Sequence, residues 1–262
     1  MSAQAKLAHN LAQRGPLCIG LDPDLKWIPS QLCGDVTTFL LQIIAATSDL
    51  ACGYKINTAF FESLGSSGTR ILETVRAAIP EDCFLIWDAK RGDIENTNRH
   101  YAHSAFKVWN ADAVTVSPYL GFDALRPFLD YQHRLTFVLC ATSAGTELQE
   151  LTVGENQIPI WQWVAQEAVH RSRGQLGLVV GATHAERLHS VRQIAPQLPL
   201  LVPGVGAQGG AIPSQPAIVN VSRSILFASC DADFAMSARR AAQSFRSRLL
   251  PDASTHEVGI LS

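Results

Sequence analysis

Short apolar segments alternate along this chain with longer segments of helical periodicity. The apolar segments cover residues 17–21, 52–56, 84–87, 113–116, 135–140, 176–180, 199–202 and 217–221. Between them, apolar side chains recur every three and four residues, which indicates helices over residues 36–48, 68–78, 97–109, 160–173 and 185–195. The apolar segments lack regular polar alternation, as is typical of parallel strands covered on both faces. Eight such strands alternating with helices predict an α/β fold, a TIM (β/α)8 barrel of parallel strands.

An open, doubly wound sheet is the structural alternative to a barrel. Its dinucleotide-binding form carries G-x-G-x-x-G after the first strand, whereas here that strand is followed by Asp22. Residues 145–159 show no clear periodicity and predict an extended loop after the fifth strand, either a lid or an insertion. We expect one barrel domain over residues 1–250 and a loose tail over residues 251–262.

Composition narrows the class of protein further. The length of 262 residues suits one TIM barrel, and a hydrophobic content of 47% supplies a large core. A net charge of −2 gives no support for nucleic-acid binding. The six cysteines are widely spaced without a C-x-x-C pair, which predicts reduced thiols. With neither a signal-peptide pattern nor a run of 18 apolar residues, we expect a cytoplasmic protein that does not bind membranes.

Polar residues recur where the predicted strands end. In a TIM barrel the carboxyl ends of the strands build the active site. The residues at or after those ends, one for each strand in order, are Asp22, Lys55, Asp88, Ser117, Ser143, Gly181, Gly204 and Arg223. Eight such placements in order predict a single site at that end of the barrel.

The third strand end carries the densest group of charges, D-A-K-R-G-D at residues 88–93. Residues two apart on a strand project to the same side, so Asp88 and Lys90 can face one pocket. Asp93 lies beyond the strand end and need not share that side within its own chain. A surface ion pair is the alternative interpretation, and it is weakened because Lys55 and Asp22 converge on the same rim.

The seventh and eighth strand ends are candidates for a phosphate site. P-G-V-G-A-Q-G-G at residues 203–210 is followed by Arg223 after the next strand. Loops in these two positions commonly bind phosphate in TIM barrels. Glycines such as Gly204 permit close backbone approach, and an arginine adds a planar, permanently charged donor. The alternative is a flexible glycine-rich turn beside a solvated arginine.

Five segments resemble the signature segments of the orotidine 5′-monophosphate decarboxylase family, in that family's order. They are L-D-P at 21–23, Y-K-I-N at 54–57, D-A-K-R-G-D-I at 88–94, P-G-V-G-A-Q-G-G at 203–210 and S-R-S-I at 222–225. D-x-K-x-x-D is typical of a wider decarboxylase superfamily, and the other segments narrow the resemblance. The resemblance implies a TIM-barrel enzyme that converts orotidine 5′-monophosphate to UMP and CO2 in de novo pyrimidine biosynthesis, with neither metal nor organic cofactor.

The resemblance also implies roles for the charged residues of the first three strand ends. Asp22 and Lys55 would bind the ribose hydroxyls, and Lys55 would also join the charged network. Asp88 would lie against the substrate carboxylate. Lys90 would protonate the ring carbon that loses CO2.

Further roles implied by the resemblance concern subunit sharing and the two ends of the nucleotide. Asp93, with Thr97 beside it, would reach the neighbouring subunit's site, which implies a homodimer with shared active sites. Gln208 and Arg223 would hold the phosphate, and Ser143 would contact the pyrimidine edge. The chain departs from the family at residue 222, where serine replaces a frequent glycine, and this matters only if the backbone there needs a positive φ.

Two other functions remain alternatives. A magnesium-dependent sugar-phosphate enzyme of the same superfamily shares the D-x-K-x-x-D pattern, but such an enzyme is expected to have an extra carboxylate ligand for the metal near strand two. Here that strand ends in Lys55, Ile56 and Asn57, with Glu62 further on. A non-catalytic nucleotide sensor is the other alternative, and the cluster of charges at residues 88–93 argues against it.

Overall fold

Eight parallel strands close into one barrel. The computed structural model describes residues 1–143, 146–206, 209–210 and 217–250. The strands are β1 (Leu17–Leu21), β2 (Gly53–Asn57), β3 (Phe84–Arg91), β4 (Ala113–Val116), β5 (Leu135–Ala141), β6 (Leu176–Val180), β7 (Leu200–Pro203) and β8 (Ile218–Val221). Each strand pairs with its neighbours in sequence, and β8 pairs with β1 to close the barrel. The predicted TIM barrel is therefore confirmed.

Helices cover the outside of the barrel. They are α1 (Ala3–Arg14), α2 (Val36–Thr47), α3 (Thr58–Glu62), α4 (Gly65–Ala78), α5 (Glu95–His103), α6 (Arg126–Leu129), α7 (Thr146–Glu150), α8 (Ile160–Arg171), α9 (Ala185–Ile194), α10 (Arg223–Leu226) and α11 (Phe234–Leu249). A π-helical turn, Ser104–Val108, extends α5. In the part of the chain that the structure describes, no helix has both the length and the apolar character needed to cross a bilayer.

The pleat of the strands divides the apolar side chains into two cores. Cys18, Phe84 and Phe137 belong to a cluster inside the barrel, whereas Leu17 and Val114 belong to the cluster between barrel and helices. Successive residues of a strand point to opposite faces, and both faces are buried here. This explains why the strands appear in the sequence as continuous apolar runs.

Helix α1, which is not among the helices predicted from the sequence, covers the amino-terminal end of the barrel. Ala3 and Leu7 pack into the inner cluster. The Lys6 Nζ lies 2.7 Å from the Asp112 Oδ2, which also accepts a hydrogen bond from the Leu85 backbone N–H at 2.9 Å. Because this end is covered, the carboxyl ends of the strands are left as the open face of the barrel.

The segment after β5 is more ordered than the extended loop that the sequence predicts. It contains α7 and an antiparallel pair formed by Thr152–Val153 and Ile158–Pro159. Glu150 of α7 pairs with Arg187 of α9. The prediction of an extended loop is thus wrong, because local hydrogen bonds and this ion pair organise the segment. Gly145 and the predicted tail, 251–262, lie outside the described residues.

Candidate active site

A cavity of about 450 Å³ opens at the carboxyl ends of the barrel strands. Seven of the ten predicted site residues line it, namely Asp22, Lys55, Asp88, Lys90, Ser143, Gly204 and Arg223. Inward-facing positions of consecutive parallel strands converge on the barrel axis, which brings together residues that are far apart in sequence. The cavity is therefore the candidate active site.

Two lysines and two aspartates form a continuous charged chain in this cavity. The Lys55 Nζ lies 2.7 Å from the Asp88 Oδ2 and 3.6 Å from the Asp22 Oδ1. On its other side, the Asp88 Oδ1 lies 2.6 Å from the Lys90 Nζ. The side chains of Lys55 and Asp88 are 5% and 7% exposed, whereas that of Lys90 is 49% exposed. Among these three residues, Lys90 therefore has the side chain that is most accessible to a bound molecule.

The surroundings keep Lys55 and Asp88 ionised. Burial alone raises the pKa of Asp88, but the Lys55 and Lys90 ammonium groups outweigh burial, so its pKa lies well below the ordinary value. Burial lowers the pKa of Lys55, whereas Asp22 and Asp88 raise it, and its pKa lies above the ordinary value. The cavity therefore contains a buried aspartate that remains negatively charged near neutral pH.

A wall of buried polar atoms that make no hydrogen bond lies around the Asp22 end of this charged group. Among the described residues, the Asp22 Oδ1, the Asn220 Oδ1 and the Ser222 Oγ are buried without a hydrogen-bond partner. Gly20 makes room for this wall, because a Cβ there would lie 2.8 Å from the Ser222 Cβ and 3.1 Å from the Asp22 Oδ2. Buried polar atoms need partners, so the wall is suited to a ligand that carries hydroxyl groups.

The candidate phosphate region lies at the ends of β7 and β8. Gly204 has a φ of 94°, a backbone conformation that favours glycine. Ser222 has a φ of −117°, so this position does not need the positive φ at which serine in place of the family's frequent glycine would matter. The exposed Arg223 lines the cavity next to Ser224. Gln208, the other predicted phosphate ligand, lies outside the described residues.

Asp93 and Thr97 are not part of the cavity of their own chain, as far as the described residues define its lining. Both are partly exposed beyond the end of β3. Backbone hydrogen bonds of Asp93 with the Asn98 side chain hold the turn into α5, at 2.7 Å and 3.1 Å. This agrees with the expectation that Asp93 need not face the same side as Asp88 and Lys90.

Several polar residues of the cavity were not assigned a role from the sequence. They are Asn57, Thr115, Thr142, Asn220, Ser222 and Ser224. Thr115 and Asn220 stand inside apolar strand segments, where a single polar residue gives little signal. Spacing is the signal that could have identified Asn220. It is two residues from the inward-facing Ile218, so it points to the same side of the strand.

The donor set around β2 does not suit a divalent cation. Glu62, the carboxylate considered for magnesium, is paired with Arg91 and does not belong to the described lining of the cavity. In that lining, Asp22 and Asp88 are each paired with a lysine. Over the described residues, no group of three histidine, cysteine, aspartate or glutamate side chains is placed to hold a metal.

A closed (β/α)8 barrel whose strands end in a buried chain of lysines and aspartates defines a TIM-barrel enzyme with a charged cavity for a small polar substrate. The family model that matches the chain, over residues 15–232, describes the orotidine 5′-phosphate decarboxylase / HUMPS family. The chain belongs to this family. Its named relatives are orotidine 5′-phosphate decarboxylases, which places the chain among the carboxy-lyases.

Individual relatives match over most of the chain. An orotidine 5′-phosphate decarboxylase of Herpetosiphon aurantiacus is 45% identical over 258 residues, which cover 94% of this chain and 96% of that protein. The structure of Leishmania donovani OMP decarboxylase matches with a TM-score of 0.79 and 36% identity, covering 94% of this chain and all of that one. Leishmania donovani UMP synthase matches with a TM-score of 0.84 and 36% identity over 95% of this chain, which spans only 56% of that longer protein.

Proposed function

We propose that this protein decarboxylates orotidine 5′-monophosphate to UMP and CO2, as a step of de novo pyrimidine biosynthesis. The observation that carries the proposal is the buried chain of Asp22, Lys55, Asp88 and Lys90 at the carboxyl ends of the strands. The relatives named for this activity support the substrate. The reaction needs an environment that stabilises negative charge on carbon and supplies a proton, and this chain of charges has both properties.

The chemical step is assigned to Lys90 and Asp88, without a cofactor. When the bond between the ring and its carboxylate breaks, CO2 leaves and the electron pair stays on the ring carbon. A proton from the Lys90 Nζ then forms the new C–H bond, and solvent returns a proton to the lysine. Asp88 stays ionised between two cations, so it disfavours the substrate carboxylate and holds Lys90 in place.

The remaining residues of the cavity are assigned to binding. Asp22 and Lys55 bind the ribose hydroxyls, and the unpartnered Oδ1 of Asn220 offers a further acceptor. Arg223 and Gly204 bind the phosphate at the ends of β7 and β8, together with Gln208. Ser143 contacts the pyrimidine edge. Phosphate binding far from the reacting carbon supplies energy that orients the ring against Lys90.

We also infer a homodimer with shared active sites, in which Asp93 and Thr97 complete the site of the neighbouring subunit. Their absence from the described lining of their own cavity supports this arrangement. Ile94 and Tyr119, which are 64% and 77% exposed, provide apolar surface of the kind that subunit interfaces bury.

A cytoplasmic location is proposed too, because all six cysteines are free thiols.

The test is the absorbance change after orotidine 5′-monophosphate is added to purified, EDTA-treated protein. We expect rapid loss of the orotate chromophore and formation of UMP, without added metal. UMP binding without turnover would instead favour a nucleotide sensor. If neither turnover nor binding is seen, sugar phosphates with magnesium become the substrates to test, and the proposed function is wrong.

A further inference from the structure

Thr115 connects the two residues to which the chemical step is assigned. It lies in the middle of β4, is 1% exposed and lines the cavity. Its Oγ1 donates a hydrogen bond to the Asp88 Oδ1 at 2.8 Å and accepts one from the Lys90 backbone N–H at 3.0 Å. A single hydroxyl therefore uses its donor on the carboxylate and an acceptor lone pair on the backbone of the lysine.

The backbone contact is made where the pairing of β3 with β4 is irregular. Trp87 pairs with Val114 and Arg91 with Val116, so three residues of β3 lie opposite Thr115. Lys90 within this bulge has a φ of 47°, the left-handed region that residues other than glycine rarely adopt. The bulge breaks the regular backbone ladder, and the Thr115 hydroxyl supplies the acceptor for the Lys90 N–H.

The carboxylate contact settles how Asp88 is oriented. Its Oδ2 faces the Lys55 Nζ at 2.7 Å, and its Oδ1 accepts from the Lys90 Nζ at 2.6 Å and from Thr115 at 2.8 Å. Without the hydroxyl, the Oδ1 would keep only the contact with Lys90, whose half-exposed side chain has many rotamers. Thr115 is the rigid partner, because its β-branched side chain is buried on a barrel strand.

We propose that Thr115 is a positioning residue for decarboxylation: its hydroxyl fixes the backbone of Lys90 and the carboxylate of Asp88 so that the Lys90 ammonium faces the reacting carbon. This role rests on the proposed function. It predicts an effect on the chemical step rather than on binding, because the phosphate region at the ends of β7 and β8 lies elsewhere in the cavity.

The experiment compares Thr115→Val with Thr115→Ser. Valine keeps the branched shape and removes the hydroxyl, whereas serine keeps the hydroxyl. We expect Thr115→Val to lower kcat about 10- to 100-fold, the range of one hydrogen bond to a charged group, with KM changed less than about threefold. Thr115→Ser should recover kcat to within about fivefold of the wild type.

Thr136→Val is the matched control. Thr136 lies on the neighbouring strand β5 and is 1% exposed, and its Oγ1 has no hydrogen-bond partner among the described residues. We expect Thr136→Val to leave both kcat and KM within about twofold of the wild type. If Thr115→Val does not fold, Thr115→Cys takes its place, because a thiol is a much weaker hydrogen-bonding group and should give a loss of the same direction.

The outcomes separate this inference from the proposed function. Absence of turnover in the wild type would overturn the proposed function, and the role of Thr115 with it. Normal wild-type turnover with an unchanged kcat in Thr115→Val would overturn the positioning role alone. A rise in KM at constant kcat would do the same, because it would make Thr115 a binding residue. Equal losses in the serine and valine variants would show that packing, not the hydroxyl, is what matters.

Discussion

Removal of Lys55 should destabilise the fold strongly, because this lysine neutralises two carboxylates inside the barrel. The proposed change is Lys55→Met, which keeps the length of the side chain and removes the charge. The Lys55 and Asp88 side chains are only 5% and 7% exposed, so solvent cannot replace the lost ammonium group. Removing one partner of a buried ion pair costs roughly 3–5 kcal/mol.

The structure narrows this range. After the change, Asp88 still has the Lys90 Nζ at 2.6 Å and the Thr115 Oγ1 at 2.8 Å. We therefore expect the lower end of the range, a loss of about 3 kcal/mol in the free energy of unfolding. For a domain of this size the melting temperature would fall by roughly 6–12 °C. Both quantities should be measured at one protein concentration, because the proposed subunit association would contribute to apparent stability.

The matched control is Lys26→Met. Lys26 pairs with Asp24 at 3.2 Å, but the two side chains are 67% and 36% exposed. Such surface pairs contribute about 0–1 kcal/mol, so this variant should stay close to the wild type. The assay is urea denaturation followed by circular dichroism at pH 7. A loss below about 1 kcal/mol for Lys55→Met, or equal losses in both variants, would refute the reasoning.

The pH dependence of the stability difference between the wild type and Lys55→Met provides a second test. The folded pKa of Asp88 lies below its unfolded value of about 3.9, so its ionisation stabilises the fold above that pH. This stabilisation is lost as the pH falls through the folded pKa. Because Lys55 lowers the folded pKa of Asp88, Lys55→Met should bring that folded pKa closer to the unfolded pKa of Asp88. The stability difference between wild type and variant should therefore be largest near neutral pH and shrink below about pH 4.

Three further predictions concern activity. Lys90→Ala should abolish decarboxylation, measured by loss of orotate absorbance, while UMP binding stays detectable by calorimetry; near-normal turnover would refute the mechanism. Arg223→Ala should raise KM by about 100-fold, more than it lowers kcat, because a charged phosphate contact is lost, and an unchanged KM would remove the phosphate assignment. Mixing inactive Lys90→Ala with inactive Asp93→Ala subunits should restore about a quarter of wild-type activity, because one site in each mixed dimer is intact. No recovery after subunit exchange would contradict shared sites.

Much of the barrel can be predicted from local sequence. The apolar segment at 113–116 coincides with β4, and the segment at 176–180 with β6, because a strand buried on both faces is apolar throughout. The predicted end of β3 at residue 87 is wrong by four residues, since β3 extends to Arg91. Two of its last four residues, Asp88 and Lys90, are charged and line the cavity, so hydrophobicity does not mark this part of the strand.

The sequence by itself determined the order of strands and helices and the strand ends that carry polar residues. These depend on pleat and helical period, which are local properties. Only the tertiary structure decided that Lys55 reaches both Asp22 and Asp88, and that Thr115 joins Asp88 to the backbone of Lys90. These contacts depend on barrel closure and on the register between strands, and neither is encoded by the composition of one segment.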